Sequence, residues 1–78
     1  MGWLVTIYVD GGGRWARFAV PDVATARAAR DLLMADDGLA GIDHVTIHAS
    51  RDALRHKTFD SAYGLLNAVH VLAAQEVG

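Results

Sequence analysis

The residues of this chain best equipped to do chemistry are its four histidines and the acids and hydroxyls beside them. His44 and His48, with three residues between them, have the spacing of a metal pair. That spacing works on a helix, where both imidazoles share a face. On a strand the same step covers roughly 13 Å, too far for two ligands held at about 2 Å from one zinc ion. His48, Ser50 and Asp52 invite reading as base, nucleophile and orienting acid. A triad also needs an oriented base and oxyanion donors, and the strained turn of a Gly-x-Ser-x-Gly motif is missing here. Ser50 is better suited to cap a turn, with Asp52 pairing to Arg55. Gly11-Gly12-Gly13 is not followed by the Gly-Lys-Ser/Thr of a phosphate loop, and it leads towards a strand, so it reads as a hairpin turn. His70 falls at the edge of an apolar helical stripe, where a packed or capping imidazole is expected. His56 lies in a basic connector. With no cysteine, thiol catalysis, disulfides and zinc knuckles are excluded. The expectation is a non-enzymatic chain with no cofactor and no metal site.

Those assignments depend on the elements that carry the residues. Trp3–Val9 alternates as a strand, with Trp3, Val5, Ile7 and Val9 on one face and Leu4, Thr6 and Tyr8 on the other. Asp10 and the glycine run turn the chain, and Arg14–Val20 returns as a second strand. Asp22 is the candidate N-cap of a helix over Val23–Ala35. Its buried stripe is Val23, Ala26, Ala29 and Leu33. Arg27 and Asp31, four apart, are expected to pair on its outer side, and Gly38 to cap its end. Ile42–Ala49 alternates as a third strand, and Ser50–Thr58 reads as a loop or one helical turn. A last helix runs over Ser61–Glu76 with Asp60 as candidate cap. Its stripe is Ala62, Leu65, Leu66, Val69, Leu72 and Ala73. A crossover from strand two to strand three places strand three beside strand one. The expected fold class is therefore α+β: a two-layer ββαβα sandwich whose mostly antiparallel sheet has order 2-1-3, with both helices on one face.

Size and charge narrow the function. A chain of 78 residues has room for one domain, residues 1–78, and a lean core with little volume for a ligand pocket. Hydrophobic residues make up 53% and charged residues 21%, the profile of a folded chain. No signal peptide and no apolar run of membrane-spanning length is visible, which fits a cytoplasmic location. The net charge of −2 disfavours duplex-DNA binding, where phosphate neutralisation drives affinity. It is also too small for a strong DNA mimic.

What remains is a surface. With both helices on one side of the sheet, the reverse would present Leu4, Thr6, Tyr8, Trp15, Arg17, His44, Thr46 and His48. Tyrosine, tryptophan and arginine are the types enriched at binding hot spots. Asp36 and Asp37 fall at the C-terminal end of the first helix, where the macrodipole opposes anions by about 0.3–1 kcal/mol each. That placement hints at use. Arg51, Arg55, His56 and Lys57 form a basic connector. Together these charges suit the rim of a protein interface.

In size and ββαβα layout the chain resembles the small inhibitors that phages and prophages deploy against bacterial defence, notably anti-CRISPR proteins. The resemblance covers the whole chain as architecture; no motif carries it. It implies a stoichiometric inhibitor that docks on a CRISPR effector subunit in the host cytoplasm and blocks target-DNA recruitment or cleavage. Asp36 and Asp37 would then meet a DNA- or PAM-reading surface. Two other readings stand beside it. One is a bacterial accessory domain that forms a homodimer through the open sheet face. The other is a single-strand nucleic-acid binder, which the net charge disfavours.

Overall fold

The computed structural model describes residues 2–39 and 41–77. Strand β1 (Gly2–Val9) and strand β2 (Arg14–Val20) are joined by the glycine turn. The turn closes through Gly12 N–H donating to Val9 O and Val9 N–H donating to Gly13 O, both at 2.9 Å. Gly11 and Gly12 take φ of 91° and 80°, values that strain any residue with a Cβ. Helix α1 (Val23–Ala35) follows, then strand β3 (Ile42–Ser50), a 3-10 helix (Arg51–Arg55) and helix α2 (Ala62–Val77). The sheet order is β2-β1-β3, with both pairings antiparallel. The sheet order and the placing of both helices on one face match the expectation from hydrophobic periodicity.

The core lies between the sheet and the two helices. Val5, Ile7 and Val20 from the sheet meet Ala26, Ala29 and Leu33 from α1 and Ala62, Leu65 and Val69 from α2. Alanines on α1 let its backbone approach the sheet, and it packs chiefly over β3. Val23, expected in this stripe, is only half-buried. Asp22 starts α1 as its type predicts: in extended backbone, its Oδ1 accepts the Thr25 N–H at 2.8 Å.

Several local expectations are corrected. The cap of α2 is Ser61 and not Asp60. Its Oγ accepts the Gly64 N–H at 3.0 Å and its carbonyl accepts from Leu65 N–H at 3.2 Å. Both types can cap, and the one a residue closer to the helix satisfies the orphan amides. Gly38 does not end α1 in a left-handed turn, because its φ is not positive. Asp36 itself leaves the helix in extended backbone, and its Oδ1 accepts the Gly38 N–H at 2.8 Å. Asp31 pairs with its neighbour Arg30 at 3.4 Å in place of Arg27. Among the described residues Asp52 and Arg55 form no ion pair.

The path from β3 to α2 shapes the reverse of the sheet. Ser50 Oγ accepts the Asp52 N–H at 3.0 Å and so caps the 3-10 helix. That helix crosses behind β1, where Ala53 packs with Leu4 and Ala19 in a second small core. The chain then reaches the outer edge of β2: Thr58 bridges to Ala19, and Phe59 N–H donates to Ala19 O at 2.9 Å. Phe59 packs edge-on against Phe18, with ring centroids 5.7 Å apart.

Candidate functional site

The reverse of the sheet has two unlike ends. At one, the 3-10 helix seals Leu4 and Ala19. Among the described residues the 3-10 helix is the element packed on this face; past it lies a polar grid set by strand register. Arg17 pairs with Thr6 and Thr6 with Thr46; Arg14 pairs with Tyr8 and Tyr8 with His44. Directly opposed residues of an antiparallel pair share a face, so these side chains form two adjacent rows. His48, opposite Leu4, stands exposed beside them.

Tyr8 lies between two irregularities. In the β1–β2 ladder Ile7 faces Ala16 and Tyr8 faces Arg14, which leaves Trp15 as an inserted residue. In the β1–β3 ladder Tyr8 faces His44 and Val9 faces Ile42, which leaves Asp43 inserted. Bulges bend a strand and re-aim side chains. Here they correct the expected site: Trp15 does not join Tyr8 on the open grid but packs, half-buried, against the main core. Arg14 takes the place across from Tyr8. The sequence reading omitted Arg14; the available signal was a turn segment longer than a two-residue hairpin needs.

The grid is ordered internally. Tyr8 and His44 stack with ring centroids 4.4 Å apart and planes within 9°. His44 Nδ1–H donates to Asp43 Oδ2 at 2.7 Å, which fixes its ring. Arg17 Nε–H donates to Thr6 Oγ1 at 3.2 Å, and Thr6 is fully buried. The guanidinium is thus anchored on a buried residue of the central strand.

The remaining expected site residues divide. Arg51 and Arg55 are exposed on the 3-10 helix, and between them Leu54 is 79% exposed. Lys57 Nζ stands over the Phe59 ring, 5.5 Å from its centroid. Asp37 is exposed, but Asp36 is spent inside the molecule. Its second oxygen, Oδ2, accepts from His70 Nε2–H at 2.8 Å. The His70 hydrogen bond, then the Gly38 N–H, hold the Asp36 carboxyl below its ordinary range. Asp36 therefore closes α1 onto α2, which answers its awkward position at a helix C-terminus, and of the acidic pair Asp37 is the one that faces solvent.

Ser50 is held in its capping role, and no oxyanion donors converge on it among the hydrogen bonds of the described residues. Among those residues no three His, Asp or Glu side chains gather to hold a metal, and no helix is long and apolar enough to cross a membrane. No protein-family model matches the chain, and comparison with curated proteins and with solved structures yields no match.

Proposed function

We propose that this chain is a non-enzymatic docking module that binds another protein through the open end of its sheet's reverse face. One observation carries the reading: both helices pack on one side of the sheet, and on the other an ordered grid around Tyr8, Arg17 and His44 keeps His44, Thr46 and His48 exposed. The tyrosine and arginines of this grid are of the types enriched at binding hot spots. The specific form proposed is a small phage-type inhibitor of the anti-CRISPR kind, acting in a bacterial cytoplasm on a CRISPR effector subunit. The docking surface in this form is the sheet face, because Asp36 already has its partners within the chain.

Size-exclusion chromatography of the chain with purified CRISPR effector complexes tests the proposal. Co-elution with one effector type is expected. Thr46→Glu, at an exposed site midway along β3 and opposite Thr6, should abolish it, and Tyr63→Ser on the exposed side of α2 should leave it intact. Co-elution with no effector would remove the inhibitor reading. A mass of two chains by light scattering, halved by Thr46→Glu, would replace it with a homodimer through the same face.

A further inference from the structure

We infer that Arg17 is an oxyanion-recognition residue and that the docking partner supplies it with a carboxylate from an acidic protein segment. The inference rests on the docking reading and names the chemistry of its ligand. A guanidinium offers five N–H donors in a rigid plane. Arg17 spends Nε on Thr6 Oγ1 at 3.2 Å, which leaves its two terminal NH2 groups to act as a fork. Because Thr6 is fully buried, the fork is held before any ligand arrives, and little ordering cost remains. Among the described residues no carboxylate lies within ion-pair distance of Arg17, Arg14, Arg51, Arg55 or Lys57. The acids that do make ion pairs, Asp31, Asp36 and Asp43, are engaged by Arg30, His70 and His44. A half-buried arginine whose terminal NH2 groups have no carboxylate among the described residues, with Arg14 in the adjacent row of the grid, is complementary to a planar anion.

Carboxylate is favoured over nucleic-acid phosphate by the rings. Sequence-tolerant binding of single strands stacks bases on free aromatic faces. On the grid Tyr8 and His44 stack on each other, Trp3 and Trp15 pack against the core, Phe59 is engaged by Phe18 and Lys57, and the exposed ring of Tyr63 belongs to α2 and not to the sheet. The net charge of −2 also opposes the long-range capture of a polyanion. A local acidic cluster on a protein needs only the short-range fork.

Amide chemical-shift titration of the isotope-labelled full chain with a short Glu-rich peptide tests this. Shifts centred on Thr6, Tyr8, Arg17 and His44 are expected, weakening as salt is raised. Arg17→Gln should weaken the apparent affinity about tenfold or more, and Arg27→Gln on α1 should leave it unchanged. Thr6→Val keeps the arginine but removes its anchor. It should weaken binding by a smaller factor, and it decides the matter if Arg17→Gln fails to fold. No shifts with the peptide, shifts centred elsewhere, or equal affinity in Arg17→Gln and Thr6→Val would each overturn the inference. Tighter binding of a short oligothymidylate at the same residues would also overturn it, in favour of nucleic acid. If an effector co-elutes in a Thr46-dependent way but Arg17→Gln binds it unchanged, the carboxylate assignment fails and docking stands. If nothing co-elutes yet the peptide titration succeeds, the inhibitor reading fails and the oxyanion site stands.

Discussion

The two faces of the sheet are built from the same three strands, yet they are finished differently. On the helix side Val5, Ile7 and Val20 are fully buried under alanine, leucine and valine from both helices. On the reverse, Leu4 and Ala19 are sealed by a single 3-10 turn; two residues along, Thr6 is still fully buried beside the half-buried Arg17 that it bonds, while Thr46 and His44 next to it are exposed. There the side chains become threonine, arginine, tyrosine and histidine, hydrogen-bonded or stacked with one another. Buried apolar area holds the helix side together; the open end of the reverse contributes order without much burial. Buried apolar packing and the ordered polar grid are thus separated onto opposite faces, and substitutions on each should be read by different assays.

The largest expected effect breaks that contrast directly. Leu65 is fully buried in the α2 stripe, so Leu65→Ala should cost about 2–5 kcal/mol through lost transfer energy and a residual cavity. Thr46→Ala, exposed on the reverse, should change stability by no more than about 0.5 kcal/mol. Chemical denaturation of both variants measures the difference. Equal losses would mean that the reverse face is part of the core.

A second substitution probes the sealed end. A Cβ added at Gly2 would lie 2.7 Å from the Ala53 Cβ and 3.4 Å from the Val20 carbonyl oxygen. The clashing methyl sits directly on the 3-10 backbone and has no flexible chain to swing away. Gly2→Ala should therefore cost about 1–3 kcal/mol by overpacking and raise amide exchange in Arg51–Arg55. An unchanged denaturation midpoint would show that the 3-10 turn only rests on the sheet.

How far these faces could be read without coordinates depends on the range of the information each feature uses. Period-two and period-3.6 patterns are local, and they set Val5, Ile7, Leu33 and Leu65 facing one another before any contact is known. The reverse face was only half legible. Which strand residue a bulge inserts depends on pairing between strands, so the move of Trp15 off the grid and Arg14 onto it has no counterpart in a local window. The cover over Leu4 comes from a segment whose own composition is basic and polar; one small residue, Ala53, does the packing. The His70–Asp36 bond joins residues 34 positions apart, and neither neighbourhood announces the other.

Caps give a smaller and sharper comparison between neighbours of equal capping potential. Ser61→Ala should destabilise α2 by about 1 kcal/mol, because Gly64 N–H loses its acceptor. Asp60→Ala, whose side chain the helix does not use as its cap, should stay within about 0.5 kcal/mol. Thermal melts of the two variants order them, and a larger loss at Asp60 would return the cap to that residue.

The least drastic test concerns the join between the helices. Folding holds the Asp36 carboxyl below its ordinary range, chiefly through the hydrogen bond from His70 and then that from Gly38. A group whose folded value is depressed adds stability above its unfolded value, about pH 4, and loses it as pH falls through the folded one. Asp22, lowered by the Thr25 hydrogen bonds, contributes with the same sign, so the wild-type chain should lose stability on acidification below about pH 4. Asp36→Asn keeps an acceptor for the Gly38 N–H but cannot ionise. Its melting temperature should be lower than the wild type's near neutrality, and the gap should close in acid. A gap that stays constant across that range would show that shape, and not the carboxylate charge, joins α1 to α2.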